Sequence, residues 1–340
     1  MNEGTRKRSA RVTIIDVADR AHVSKSLVSL VMRGAPNVSK ERRRAVLRAA
    51  RELGYKPNRL AQGLRGRTHT IGVLLSDPHN PFFPEILYGI QDEADAFRYR
   101  ALLATGHRDP ERETRAVQDL HERQMEGIIL ISPKFSNRVI KDVASSTPTV
   151  LVGRRTREHL VDNIVNDDYA GATLAVEHLA ELGHRRIAHI TGGSYAGAGI
   201  RRRAYELTMR RLGLERHIRI AAGEFTDEGG YRGAQRLLGG QEERPTAIFA
   251  ANDLAAMGVL TAAREAGLSV PGDISLVGYD NSYLAQLSNV SLTSIDQPRH
   301  EMGILATRLL LERIMTERTE PRREVLKPSL VQRSTSAPPR

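Results

Sequence analysis

"VTIIDVADRAHVSKSLVSLVMRG", residues 12–34, starts as an apolar helical repeat, breaks at Ala21-His22-Val23, and resumes as a second short repeat with a polar face. Thr13 followed by Asp16 has the spacing of a capping box, which predicts a helix over Ile14 to Arg20. Ser24 can cap a second helix, Lys25 to Met32. There Val28 and Val31 point one way while Lys25, Ser26, Ser29 and Leu30 share the other side. A third helix is predicted from Ser39, with Val46, Ala49, Ala50 and Leu53 as its stripe, a stop at Gly54 and Pro57 beyond. Two helices joined by a tight turn, closed by a third, form a helix-turn-helix plan. Its second helix fits the DNA major groove, so the polar face has a use only when a partner is present.

Charge supports that partner. Residues 1–68 hold 17 Lys/Arg against 5 Asp/Glu, whereas residues 69–340 hold 34 against 35. All of the chain's excess of +11 therefore sits in its first fifth. A polyanion explains this, because each neutralised phosphate releases condensed counterions. A disordered basic tail would lack the regular apolar spacing seen here. With 340 residues, two or three folding units are expected. There is no cysteine, which removes disulfides, thiolate metal sites and thiol nucleophiles. The start shows no apolar stretch of signal-peptide length and no run approaches a membrane span, so a cytoplasmic, nucleoid-associated protein without membrane contact is expected.

Beyond Thr70, "TIGVLL", "ALLAT", "GIILI", "PTVLVG", "RIAHI", "AIFA" and "ISLVGYD" read as strands. Amphipathic helices such as 82–98, 169–182 and 253–266 separate them. This alternation predicts parallel sheets covered on both faces, in two doubly wound halves with a ligand cleft between them. Enzyme signatures fail. "ITGGSYAGAG" has neither the G-x-G-x-x-G nor the P-loop spacing, Ser194 is not in G-x-S-x-G, and the eleven histidines include no H-x-x-x-H pair. No catalytic residue, cofactor or metal is expected. Arg202, Arg203, Arg210 and Arg211 read as a solvated helix face.

The stretch "TIIDVADRAHVSKSLVSLVMRGAPNVSKERRRAVLRAARELGYKPNRLAQGLR" resembles the head and hinge of the lactose-repressor (LacI/GalR) family of bacterial transcription regulators, and the similarity continues to the C-terminus. The resemblance implies an all-α helix-turn-helix head over residues 1–57 and a hinge helix and linker over 58–68. It further implies an α/β periplasmic-binding-protein-like domain over 69–340. An N-subdomain would comprise about 69–166 and 297–325, and a C-subdomain about 167–296 and 326–336. By position, Lys25, Ser26 and Leu30 fall where the family reads bases, and Ser24 and Ser29 where it meets phosphate. Thr13, Arg33 and the hinge residues Asn58, Ala61 and Leu64 complete the expected DNA-binding set, with Leu64 as a minor-groove wedge. Leu30 stands where many members carry Arg, and His22 where the turn usually has Gly.

The same resemblance implies effector contacts from Asn80, Phe82, Phe83, Asn166, Arg201, Phe225, Asn252 and Asp280, with Asp253 beside them, while Gly153 stands where some members place Asp. Such a set suits a polyhydroxylated ligand, because Arg donates in a fork, Asp accepts from neighbouring hydroxyls and aromatic rings cover an apolar face. A planar base is the alternative ligand. The expected protein is a dimeric repressor of a palindromic operator in double-stranded DNA, controlled by a small molecule of the carbohydrate class. A cleft-type solute-binding protein and a ligand-modifying enzyme with a DNA-binding head are the competing readings.

Overall fold

The structure, a computed structural model, describes residues 12–32, 35, 37–55, 68–239 and 243–340. The chain divides into two compact units, Met1–Thr68 and His69–Arg340.

In the smaller unit, helices α1 (Ile14–Arg20), α2 (Lys25–Met32) and α3 (Lys40–Glu52) surround a core of Val17, Ala18, Val28, Val31, Val38, Val46, Ala49 and Ala50. Thr13 and Asp16 form a reciprocal capping box. The Asp16 backbone N–H donates to Thr13 Oγ1, and the Thr13 N–H donates to the Asp16 carboxylate at 2.6 Å. The Thr13 N–H and the Thr13 hydroxyl, both donating to the Asp16 carboxylate, hold it below its usual range. Ser24 Oγ accepts from the Leu27 N–H at 3.2 Å and so starts α2. His22 turns the chain with φ of +52°, a left-handed conformation that glycine adopts with less strain.

The larger unit contains two six-stranded sheets. The first is built from β1 (Thr70–Leu75), β2 (Arg100–Thr105), β3 (Gly127–Ile131), β4 (Thr149–Val152), β5 (Val161–Asn166) and β11 (Arg323–Leu326), in the order β11-β5-β4-β3-β1-β2, all parallel. The second is built from β6 (Ile187–Ile190), β7 (Arg219–Ala221), β8 (Ala247–Ala250), β9 (Ser275–Asp280), β10 (Thr293–Asp296) and β12 (Ser329–Val331). Its order is β12-β10-β9-β8-β6-β7, and only β12 runs antiparallel to its neighbour. Each sheet thus repeats one winding, with its first strand between the second and third. The point where strand order reverses lies beside β1 in one sheet and β6 in the other. Ligands bind beyond the carboxyl ends of parallel strands at such a point.

The chain passes between the two lobes at residues 166–168, 296–299 and 326–329. Helix Arg299–Thr316 returns to the first lobe, where Met302, Ala306, Leu309, Leu310 and Leu311 join the core of β1, β3 and helix Phe82–Ala96. Gly89 and Gly303 let these two helices touch backbone to backbone, since a Cβ on either would collide with the opposite main chain.

Asp162 fastens the return. Its fully buried carboxylate accepts two hydrogen bonds from Arg313 (2.9 and 3.1 Å), two from Arg318 (3.1 and 2.7 Å) and one from the Arg322 N–H (2.7 Å). Burial alone would raise its pKa, but the guanidinium hydrogen bonds overcome that and hold it below the usual carboxylate value. Removing one side of such an array strands buried charge. Asp162→Ala is therefore expected to cost ~3–5 kcal/mol in urea unfolding of the whole chain. A loss below about 1 kcal/mol, the scale of an exposed ion pair, would contradict the role assigned to it.

Candidate functional site

The carboxyl ends of both sheets face one cavity of about 360 Å³. This is near the lower end of the roughly 300–1,000 Å³ typical of small-molecule sites. All eight residues read from the sequence as effector contacts, Asn80, Phe82, Phe83, Asn166, Arg201, Phe225, Asn252 and Asp280, line it, as does Gly153.

Arg201 organises the floor. It sits in the first turn of helix Ala198–Arg211, whose N-cap Gly197 has φ of +82° and abuts the Asp168 carboxylate, where a side chain would collide. Arg201 is 5% exposed; its Nε donates to Asp168 Oδ1 at 2.9 Å and its Nη1 to the Ala251 carbonyl at 2.6 Å. Asp280 Oδ1 lies 3.9 Å from that Nη1. The guanidinium stacks on the Tyr279 ring at 3.6 Å and faces Phe225 at 5.2 Å. Burial would lower its pKa, but Asp168, Tyr279 and Asp280 raise it, so Arg201 stays charged.

Asp280 ends β9 with φ of +111°, a strained conformation for a residue with a side chain. Its carboxylate accepts from Gln297 Nε2 at 2.6 Å. Burial pushes its pKa up to about 7 against the pull of Arg201, and the charge of Asp253 adds to the rise.

Two buried amide atoms complete the floor. Asn166 donates through Nδ2 to the Tyr279 hydroxyl at 2.9 Å, and its Oδ1 has no partner. Asn252 Oδ1 caps helix Asp253–Glu265 through the Ala255 N–H at 2.9 Å, and its Nδ2 has no partner. A buried polar group without a partner costs about 1–3 kcal/mol, and both residues that carry one line the cavity.

Phe82 and Phe83 serve the core as well as the cavity wall. Asp253 is placed differently from the cleft position expected for it. It is fully buried beneath the floor and accepts from the Ser282 N–H (2.6 Å), Ser282 Oγ (2.9 Å) and Ser294 Oγ (2.5 Å). Sequence reading missed Asp168, Ser76, Asp77, Arg108, Lys134 and Tyr195, all of which line the cavity. Their signal was available: each follows a strand's carboxyl end within a few residues, where ligand contacts in parallel sheets gather.

In the smaller unit, Lys25, Ser26 and Leu30 lie exposed along α2, Ser29 is partly covered, and Thr13 and Ser24 use their hydroxyls as helix caps. Arg33, Asn58, Ala61 and Leu64 lie outside the described residues. Among the described residues no helix is long and apolar enough to cross a membrane, and no cluster of His, Cys, Asp and Glu is arranged to hold a metal ion.

A helix-turn-helix unit, joined in sequence to two parallel α/β lobes around a polar cavity, defines a ligand-responsive DNA-binding regulator. Residues 13–58 match the model of the bacterial regulatory proteins of the lacI family, and residues 176–336 match the periplasmic binding protein-like domain. The transcriptional repressor PurR of Erwinia tasmaniensis is 34% identical over 331 residues, covering 96% of this chain and 97% of that protein. The ribose operon repressor of Haemophilus influenzae is 36% identical over 327 residues, with 95% and 98% coverage. The crystal structure of the lac repressor dimer bound to operator and the anti-inducer ONPF matches with a TM-score of 0.81 at 29% identity, over 96% of this chain and 100% of that one. The chain belongs to the LacI family: it is a transcriptional repressor with a DNA-binding and a ligand-binding domain, and not an enzyme.

The Asp280 carboxyl gives a test. Folded, it keeps its proton to about pH 7; unfolded, it releases it near 3.8. Over that window the folded state binds more protons, so this group's contribution to stability falls as pH rises. The stability of Asp280→Asn relative to the native chain should therefore increase from pH 4 to 7 and then level off in urea titrations. A difference independent of pH would contradict the assignment.

Proposed function

We propose that this repressor binds a near-palindromic operator as a homodimer and that a small neutral polyhydroxylated molecule, of the carbohydrate class, sets its DNA affinity from the interlobe cavity. The observation that carries the ligand class is the floor itself. A charged Arg201, the Asp280 carboxyl and the amides of Asn166 and Asn252, each with one unpaired atom, surround one space beside Phe225. Vicinal hydroxyls donate and accept at once, and an aromatic face covers the apolar side of a sugar ring. The named relative that represses a ribose operon supports the same class.

For DNA, Lys25, Ser26 and Leu30 on the outer side of α2 are assigned to base edges and Ser24 and Ser29 to phosphate. Thr13, Arg33, Asn58, Ala61 and Leu64 complete the contact. Leu30 offers a methyl-rich surface to thymine where an arginine would fork onto guanine. A second copy of the chain is the partner favoured for the edge of the first sheet. There β2 exposes Leu102 (40%) and Leu103 (55%), and a bare apolar edge is a pairing surface. The working division is a head over 1–57, a hinge over 58–68 and an effector and dimer domain over 69–340, acting at the nucleoid in the cytoplasm. By linkage, a ligand that loosens the operator must bind more weakly to the DNA-bound form.

The test is thermal unfolding of the whole chain against neutral pentoses and hexoses, with hypoxanthine and guanine as contrasting planar ligands. At least one sugar should raise the midpoint, with stabilisation near 2.7 kcal/mol at about a hundredfold excess over Kd. Arg201→Ala should abolish the response to it. A response confined to the purine bases would overturn the carbohydrate assignment.

A further inference from the structure

The rim of the cavity holds an arrangement that the floor does not need. Arg108, in the loop after β2 of the first lobe, reaches across the cleft. Its Nε donates to the Tyr195 hydroxyl at 2.5 Å, and its guanidinium carbon lies 4.8 Å from the centre of the Tyr195 ring. Lys134, in the loop after β3 of the same lobe, sets its ammonium 4.2 Å from that ring centre. Arg108 also pairs with Glu224 of the second lobe at 3.3 Å and with Asp77 of its own at 3.7 Å. One tyrosine of the second lobe is thus held by two cations of the first. A ring quadrupole attracts a cation over its face, and more strongly where solvent is partly excluded.

The backbone behind these side chains is built to present them. His107 and Arg108 both have left-handed φ, +51° and +66°, and the Arg108 N–H donates to the Ser76 carbonyl at 2.8 Å. The fully buried Glu113 ties the neighbouring loops together. One of its oxygens accepts from Ser76 Oγ and the other from the Lys134 N–H, each at 2.6 Å. On the opposite side, Tyr195 stands in a loop bounded by left-handed Gly193 and Gly197, and its ring leans on Phe225 at 5.7 Å. Arg108, Lys134 and Tyr195 line the cavity and are also partly exposed, which places them at its mouth.

We propose that Arg108, Lys134 and Tyr195 form a clasp that holds the two lobes together across the mouth of the cavity, with Tyr195 as the gate a ligand must displace to enter or leave. This rests on the reading of the cavity as the ligand site only for what passes the gate. The clasp itself is a property of the two lobes and is testable without any ligand. The two lobes are joined by the crossovers at residues 166–168, 296–299 and 326–329, so release of the clasp lets them rotate there with no unfolding of either sheet.

The chain lacks cysteine, so two labels can be placed cleanly. Gln118→Cys in the first lobe and Glu228→Cys in the second are exposed helix positions that do not line the cavity. With spin labels on both, and labelled chains diluted into unlabelled ones, pulsed dipolar spectroscopy reads the interlobe distance. The clasp predicts a narrow distribution in the parent. Tyr195→Ala should lengthen and broaden it, and Tyr195→Phe, which keeps the ring but loses the hydroxyl acceptor, should fall between the two. Lys134→Ala, on the other side of the cleft, should broaden it as well, with circular dichroism confirming that each variant is folded. Distributions unchanged in folded Tyr195→Ala and Lys134→Ala would overturn the proposal, whatever the ligand proves to be.

Discussion

A guanidinium cannot be buried without compensation, and the ligand domain is arranged around that requirement at Arg201. Isolated charge in a protein interior costs far more than a fold can spare, so it must be paired and hydrogen-bonded. Arg201 meets the condition with Asp168 at the start of one helix, the Ala251 carbonyl beyond β8, Asp280 at the end of β9 and two aromatic rings. These groups come from distant parts of the chain and converge only if the second sheet has its observed strand order. The same convergence leaves Asn166 and Asn252, both lining the cavity, each with one buried polar atom unpaired. Fold stability and ligand chemistry therefore meet in a single cluster.

Much of the architecture was legible in sequence because it follows from local rules. The capping pair Thr13 and Asp16, the Ser24 cap and the stripe of α3 gave the head its helices within a residue. Short, mainly apolar runs marked seven strands. The strands that escaped, β5, β7, β10, β11 and β12, are short or polar, and β5 shows why. "VDNIVN" is fully buried, yet Asp162 and Asn163 break its apolar run. Asp162 is neutralised by Arg313 and Arg318, more than 150 residues away, and Asn163 donates to the Leu151 and Arg154 carbonyls. Thr293 and Ser294 in β10 are likewise buried and satisfied by distant groups. Polar residues with remote partners look like loop until those partners are known.

The site divides along the same line. The eight residues that the family resemblance implied all line one cavity, whereas Asp168, the partner of Arg201 on its floor, went unread. At the rim each residue could have been marked by its place beyond a strand's end, but the pairing of Arg108 with Tyr195, 87 positions away, exists only when the two lobes face each other. Asp253 errs in the opposite direction. The resemblance implied a cleft position for it, but its three hydroxyl and amide donors hold it beneath the floor, where it supports the turn that follows Asp280.

The central claim is that the polar side of α2 reads DNA, with the ligand domain setting how tightly. Selection of bound duplexes from a random pool by the whole chain, followed by salt titration of the preferred sequence, tests it most directly. The account predicts a near-palindromic consensus bound at least about 10³-fold more tightly than random duplex, with an affinity that falls steeply as salt rises. Binding indifferent to sequence at every salt concentration, in the presence and absence of the sugars that stabilise the protein, would contradict it.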